Sequence, residues 1–336
     1  MKIKKYYVFA PIKERWKKLY ADNPGLSPYQ GDEYMSVALS HYFPYAVKLQ
    51  VIPVFLEITE NERTIMIVPL CKHLLKNEYT LFGDQSGCGY LDCIYSQDLG
   101  KDKMEECFRY VGQMLRGSTL YINRLKESSI LCRYLLEKYE PKGTRTCACI
   151  ELPDSYDAYL GSLKKDWRHH IRTNYSRLES EQSVATLKTY YKEPLPKKEF
   201  LQISDCYFER RKSRYDQKGA LFYKFFLRYF DIGSAAMRER GNYIHFILCI
   251  NDCVAAFCTG FISPEKGEIL LFRLAINGDF AEFSPGILLL NESIKKIYEL
   301  GIAKKIDMLE GNQRYKHEMG ARQHNCYAFE LQFSKK

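Results

Sequence analysis

The stretch from Gly267 to Gly301 constrains this chain more than any other. It opens with Ile269-Leu270-Leu271-Phe272-Arg273-Leu274-Ala275-Ile276, an apolar run of strand length with almost no alternation, as in a strand buried on both faces. Such a strand belongs in the middle of a sheet. After Asn277-Gly278-Asp279 comes Phe283-Ser284-Pro285-Gly286-Ile287-Leu288, a helix start: the Ser284 hydroxyl is available to cap, and Pro285 stands where its missing N–H costs nothing. Ile287, Leu290, Ile294 and Ile297 then recur at helical spacing, and Gly301 predicts the stop. A helix start presents unpaired N–H groups at the positive end of its dipole, and Gly286 lets a bulky anion approach them. The local pattern fits either a structural cap or a pyrophosphate cradle and leaves both open.

At 336 residues the chain exceeds the ~100 to 200 residues of a typical domain and predicts two units. The net charge of +9 favours a polyanionic partner, whether a phosphorylated cofactor, a nucleotide-linked substrate or RNA, without choosing among them. There are 12 cysteines, none in a Cys-x-x-Cys pair, and Cys147, Cys149, Cys249, Cys253 and Cys258 fall inside strand-like runs. That reads as buried thiols in a reducing compartment. His169 and His170 are adjacent and point to different helix faces, so no metal site is expected. The basic start of the chain leads only to a short apolar run broken by Pro11 and Lys13, and no segment has membrane-spanning length, so the expectation is a cytoplasmic protein without a membrane span.

Along the chain, residues 12–21 and 34–41 read as helices, separated by the turn Asp22-Asn23-Pro24-Gly25 and by Pro28-Tyr29-Gln30. Residues 47–58 and 63–70 read as a hairpin around Glu60-Asn61-Glu62. The Gly-rich loop 83–89 lacks the Lys-Ser/Thr ending of a phosphate-binding P-loop, and 90–95 follows as a strand candidate. Alternating helices and strands over 101–151 make this half a mixed α/β unit.

The second half opens on Leu152-Pro153-Asp154-Ser155-Tyr156-Asp157, which carries an N-cap and an acidic first turn, and a basic helix with Lys164, Lys165, Trp167, Arg168, Arg172 and Arg177, which reads as a solvated face or as a surface for a phosphorylated ligand or RNA. Strand 184–190 and a helix after Pro196 follow. The aromatic run 221–240 predicts another helix, with its rings in a core or lining an acyl pocket. Strands 243–250 and 253–262 are joined by Asn251-Asp252, with Gly260 marking a bulge. The order from there is three strands, helix, strand, helix, strand.

That order resembles the GNAT acetyltransferase fold, and more closely the branch that includes cellulose-biosynthesis-associated proteins and is related to Fem-type peptidoglycan aminoacyltransferases. Pro28-Tyr29-Gln30, the segment 152–178, Phe283 to Leu288, and Ile306-Asp307-Met308-Leu309-Glu310-Gly311 followed by Tyr315-Lys316 carry the likeness. The resemblance implies tandem GNAT-like domains of the α/β (α+β) class, 1–150 degenerate and 151–336 functional, each a mixed, mostly antiparallel sheet flanked by helices. It further implies acetyl-CoA or another acyl-CoA as cosubstrate, its pantetheine along Phe272, Arg273 and Leu274 and its pyrophosphate on Ser284, Gly286, Ile287 and Leu288. One departure is plain: the usual Gln/Arg-x-x-Gly-x-Gly/Ala loop is reduced here to a single glycine.

By position, Tyr315 is implied as the acid that protonates the leaving thiolate, Asp307 or Glu310 as proton acceptor, and Lys316 as contact for an anionic group. Gln30, Asp92 and Arg168 are implied around the acceptor. The expected reaction is acyl transfer to the amine of a small molecule, amino sugar or envelope precursor. The alternatives are a Fem-like transferase using aminoacyl-tRNA and a non-catalytic binding protein with the same fold.

Overall fold

The computed structural model describes residues 1–41, 46–47, 50–84, 89–212, 216–229 and 241–334. Part of the Gly-rich loop (85–88) and residues 230–240 of the expected aromatic helix lie outside them. Two compact units are present, one made of residues 1–147 with 324–336 and the other of 148–323. The last strand of the chain therefore belongs largely to the first unit, unlike a simple cut after residue 150.

The first unit holds strands β1 (Lys2–Tyr6), β2 (Val51–Glu60), β3 (Arg63–His73), β4 (Glu78–Leu81), the short β5 (Ile94–Tyr95) and β6 (Thr119–Lys126). It also holds most of β7 (Gly143–Glu151) and of the final strand, Arg322–Gln332. In that sheet β1, β2 and β3 pair antiparallel, β4 and β6 pair parallel, and β6 pairs antiparallel with the final strand, which neighbours β7. Asn61 and Glu62 turn the β2–β3 hairpin with positive φ, and Glu60 faces Arg63 in register. Helices Lys13–Ala21, Asp32–Ser40, Lys101–Met114 and Ile130–Lys138 complete the unit. Trp16 is wholly buried in an edge-on aromatic cluster with Phe9 and Phe55, and its indole N–H donates to the Gln30 carbonyl at 2.8 Å.

The second unit contains β8 (Ala185–Tyr191), β9 (Tyr243–Ile250), β10 (Cys253–Ser263), β11 (Glu268–Ile276) and β12 (Lys305–Glu310), ordered β12-β11-β10-β9-β8. The final strand is β13. Every pair is antiparallel except β11–β12. Asn251 and Asp252 both take positive φ, as a tight two-residue hairpin requires, and the register slips between Thr259 and Gly260, the expected bulge. A Cβ on Gly260 would come within 2.8 Å of the Ile269 side chain, so the close strand approach needs glycine.

One face of this sheet packs against the helices Tyr156–Ser162, Lys165–Ser180 and Pro285–Leu300 through residues such as Phe246, Leu288 and Ile294. The other packs against Lys197–Arg211 and Gln217–Tyr229 through Ile203, Tyr207 and Phe257. The aromatic helix departs from a simple core reading: Leu227 is buried, while Leu221, Phe222 and Phe225 face outward. Among the described residues, no helix is long and apolar enough to cross a membrane.

Candidate functional site

The parallel pairing of β11 with β12 covers only Glu268, Ile269 and Leu270, opposite Lys305, Ile306 and Asp307. Beyond Leu270 the two strands part, and a cavity of about 420 Å³ opens there, walled by Leu274 and Ile276 of β11, by Ser284 to Ile287 and by Tyr315. Trp167, Arg210 and Met319 close it. Two of the walls follow from local sequence: an apolar strand supplies Leu274 and Ile276, and Pro285 begins the helix that Gly301 ends with φ +61°.

The helix start itself corrects one expectation. Ser284 adopts a left-handed conformation (φ 49°, ψ 54°) and makes no side-chain cap. A capping hydroxyl needs the extended backbone that points it at the following N–H groups, and the 3₁₀ turn Gly278–Phe283 delivers the chain in another geometry. The Ser284 carbonyl instead accepts from Ile287 N–H at 2.9 Å and from Leu288 N–H at 3.4 Å. A Cβ on Gly286 would meet only Ile276 Cγ2, at 3.3 Å.

Tyr315, on the short helix Arg314–Glu318, presents its phenol to the cavity. Burial holds its pKa above the usual range, a shift opposed by the positive charge of Arg210, so the phenol keeps its proton at neutral pH. Arg210 lies in the last turn of the helix Lys197–Arg211, and its guanidinium donates to the Leu274 carbonyl. Trp167 is buried, and its indole N–H has no hydrogen-bond partner. On its other side lies a polar groove lined by Lys164, Asp166, Asn312, Arg314, His317 and Glu318.

Of the residues singled out from the sequence, Leu274, Ser284, Gly286, Ile287 and Tyr315 come together around the cavity. The rest do not line it. Phe272 stacks on Phe261 with centroids 4.4 Å apart, Arg273 lies 4.4 Å over the Tyr207 ring, and Leu288 is wholly buried. Asp307 is also wholly buried and accepts the Leu309 N–H at 2.8 Å, across a turn in which Leu309 takes φ +57°. The Lys316 ammonium is buried too, donating to the carbonyls of Met308 (2.8 Å), Leu309 (3.1 Å) and Glu310 (3.0 Å).

Asp307 and Lys316 thus clasp the strained end of β12, and the exposed Glu310 side chain lies outside the cavity. Strain of this kind persists only where surrounding bonds fix it, and the three carbonyls match the three donors of an ammonium.

Arg168 donates to the Gly161 carbonyl at 3.0 Å, while Lys164, Lys165, Arg172 and Arg177 are exposed, as on a solvated face. In the first unit, Gln30 is held by Ser27 and the Tyr90 carbonyl, and Asp92 by Cys93 N–H and the Tyr95 hydroxyl. Sequence reasoning missed Arg210, Met319 and the cavity role of Trp167. A lone tryptophan on a basic helix was the one available signal.

Residues 165–317 match the family model described as "Acetyltransferase (GNAT) domain". No curated protein sequence matches the chain. Among solved structures, FemX is similar with a TM-score of 0.60 at 8% identity, over 96% of each chain. A tandem GNAT protein from the clavulanic acid biosynthesis pathway gives 0.55 at 8% identity over 100% of both chains. The C-terminal domain of a putative lysylphosphatidylglycerol synthetase from Agrobacterium fabrum gives 0.55 at 10% identity, over 97% of this chain and 92% of that one. At these identities the likeness shows the fold, a tandem GNAT architecture with mixed, mostly antiparallel sheets flanked by helices.

Proposed function

We propose that the 148–323 unit is an acyl-CoA-dependent N-acyltransferase. The observation that carries this reading is the cavity at the β11–β12 divergence, where an apolar strand edge, the Gly286 helix start and a protonated Tyr315 phenol meet. An acyl-pantetheine arm lies along Leu274 and Ile276, and Arg210 and the helix start attract the phosphates. The acceptor amine enters by the polar groove beyond Trp167, where Asp166 supplies negative charge and Glu318 is paired with Arg314. Its nitrogen attacks the thioester carbonyl carbon and loses a proton to a carboxylate or water. The C–S bond breaks, and the thiolate takes its proton from Tyr315.

The finer assignment, an amine from envelope or polysaccharide metabolism as in the cellulose-biosynthesis-associated branch, rests on the motif likeness of Phe283–Leu288 and Ile306–Gly311. A second reading, Fem-like transfer from an aminoacyl-tRNA, is favoured by the fold likeness to FemX and by the exposed cations of the Lys165–Ser180 helix.

Calorimetric titration of the full chain with CoA and acetyl-CoA at two salt concentrations separates them. The expected result is saturable one-to-one binding, lost in Gly286→Trp, whose indole would fill the space before Ile276. Absence of CoA binding at millimolar ligand, with salt-sensitive tRNA binding in its place, would move the assignment to the second reading.

A further inference from the structure

Within the first unit, Cys147 on β7 and Cys326 on β13 face each other with their sulfurs 3.6 Å apart, both nearly sealed from solvent. A ring nitrogen of His324 joins them, so that one ligand atom from each of the three residues lies within 4.8 Å of the others. The buried Tyr90 hydroxyl stands 2.8 Å from His324 Nε2 and orients the ring. No other three metal-ligating side chains converge in this way among the described residues.

The spacing discriminates between the two uses of such a thiol pair. A disulfide needs sulfurs about 2.05 Å apart and has no use for an imidazole. Two thiolates bound at about 2.3 Å to one tetrahedral zinc ion lie about 3.7 to 3.8 Å from each other, near the separation found here. The donor set, two soft sulfurs and an imidazole, suits zinc rather than magnesium or calcium.

We propose that Cys147, Cys326 and His324 bind one zinc ion, with a water completing the tetrahedron, and that the ion clasps β13 to β7. The site is independent of the cavity in the other unit and of any reading of its chemistry. Its residues escape sequence inspection because Cys147 and Cys326 are 179 positions apart.

The test uses the fully reduced, metal-stripped full chain, titrated with cobalt(II) and then zinc(II). The expected result is one equivalent of cobalt bound with sulfur-to-metal charge-transfer absorption, displaced by zinc, together with a zinc-dependent rise in melting temperature. Cys147→Ser and Cys326→Ser should abolish the absorption. Should either fail to fold, Tyr90→Phe keeps all three ligands, and its affinity should fall by about 10- to 100-fold, as when a group orienting a ligand is removed.

Absence of charge-transfer absorption in the reduced wild type would overturn the proposal. So would cobalt binding that persists unchanged in both serine variants, or an intramolecular Cys147–Cys326 disulfide in protein purified anaerobically.

Discussion

In the first unit Glu57 is buried, yet it accepts hydrogen bonds from Tyr6, Arg15 and Thr64; Asn23, Gln30 and Asp92 are likewise buried and bonded. In the second unit the side-chain polar atoms of Trp167 (Nε1), Thr189 (Oγ1), Ser204 (Oγ) and His245 (Nε2) are buried without a partner. Among the described residues, no buried side chain of the first unit is left so. An unsatisfied buried polar group costs about 1 to 3 kcal/mol, so a fold that keeps several has a use for some of them or fills them on binding. Trp167 borders the cavity, whereas His245 lies deep in the sheet, where burial pulls its pKa down to about 3 and keeps it neutral. The contrast separates a unit whose buried polarity fastens the fold from one whose buried polarity includes a place for something else.

The largest effect that would sharpen this contrast belongs to Tyr315. Tyr315→Phe removes the proposed proton donor and leaves the cavity wall in place, so CoA affinity should stay near wild type while turnover falls about 10²- to 10⁴-fold, the usual weight of a general acid. Steady-state kinetics with an amine acceptor, read beside calorimetry, makes the measurement. Unchanged turnover would remove Tyr315 from the chemistry and leave the cavity as a binding site alone.

Much of the second unit is legible in the amino-acid sequence because its punctuation is local. Asn251-Asp252 had to turn a hairpin, Gly260 had to relieve a bulge, and Pro285 and Gly301 had to bound a helix; each is a short-range steric fact. The candidate site is less legible where a role depends on what a side chain meets after folding. Lys316 reads as a cation available to a substrate, but three carbonyls of a strained strand end enclose its ammonium. Ser284 has the right identity for a cap and the wrong backbone conformation. Arg210 borders the cavity from a helix that sequence places far from the Ser-Pro-Gly turn, and only tertiary packing joins them.

The intermediate effect concerns pH and the first unit. Burial lifts the Asp92 carboxyl to about 7, the hydrogen bonds from Ser129, Cys93 and Tyr95 pulling the other way. The folded state therefore holds a proton that the unfolded state releases above its own, ordinary pKa. From this group, stability is full below about pH 4 and declines toward pH 7 by about 1.4 kcal/mol per pH unit. Asp92→Asn should remove that slope, leaving a constant offset of about 1 kcal/mol from one weakened hydrogen bond. Urea unfolding from pH 4 to pH 8 measures it. An Asn variant with the wild-type slope would show that Asp92 does not carry the buried proton, and altered CoA affinity would break the division between a fastening unit and a binding one.

The smallest effect tests the orphaned donor directly. Trp167→Phe keeps an aromatic ring between the cavity and the polar groove and deletes only the indole N–H and part of the bicycle. If that N–H waits for a ligand acceptor, acetyl-CoA affinity should drop about fivefold, the worth of one net hydrogen bond of about 1 kcal/mol. Folding stability should not fall by the same amount, because the apo protein gains nothing from an unpartnered donor and loses only some packing. An N–H that is merely tolerated gives the reverse: affinity unchanged, with stability equal or higher once the unsatisfied group is gone. Calorimetry and urea unfolding on the same variant therefore assign Trp167 either to ligand recognition or to the second unit's general tolerance of unpaired polarity, as with Thr189 and Ser204.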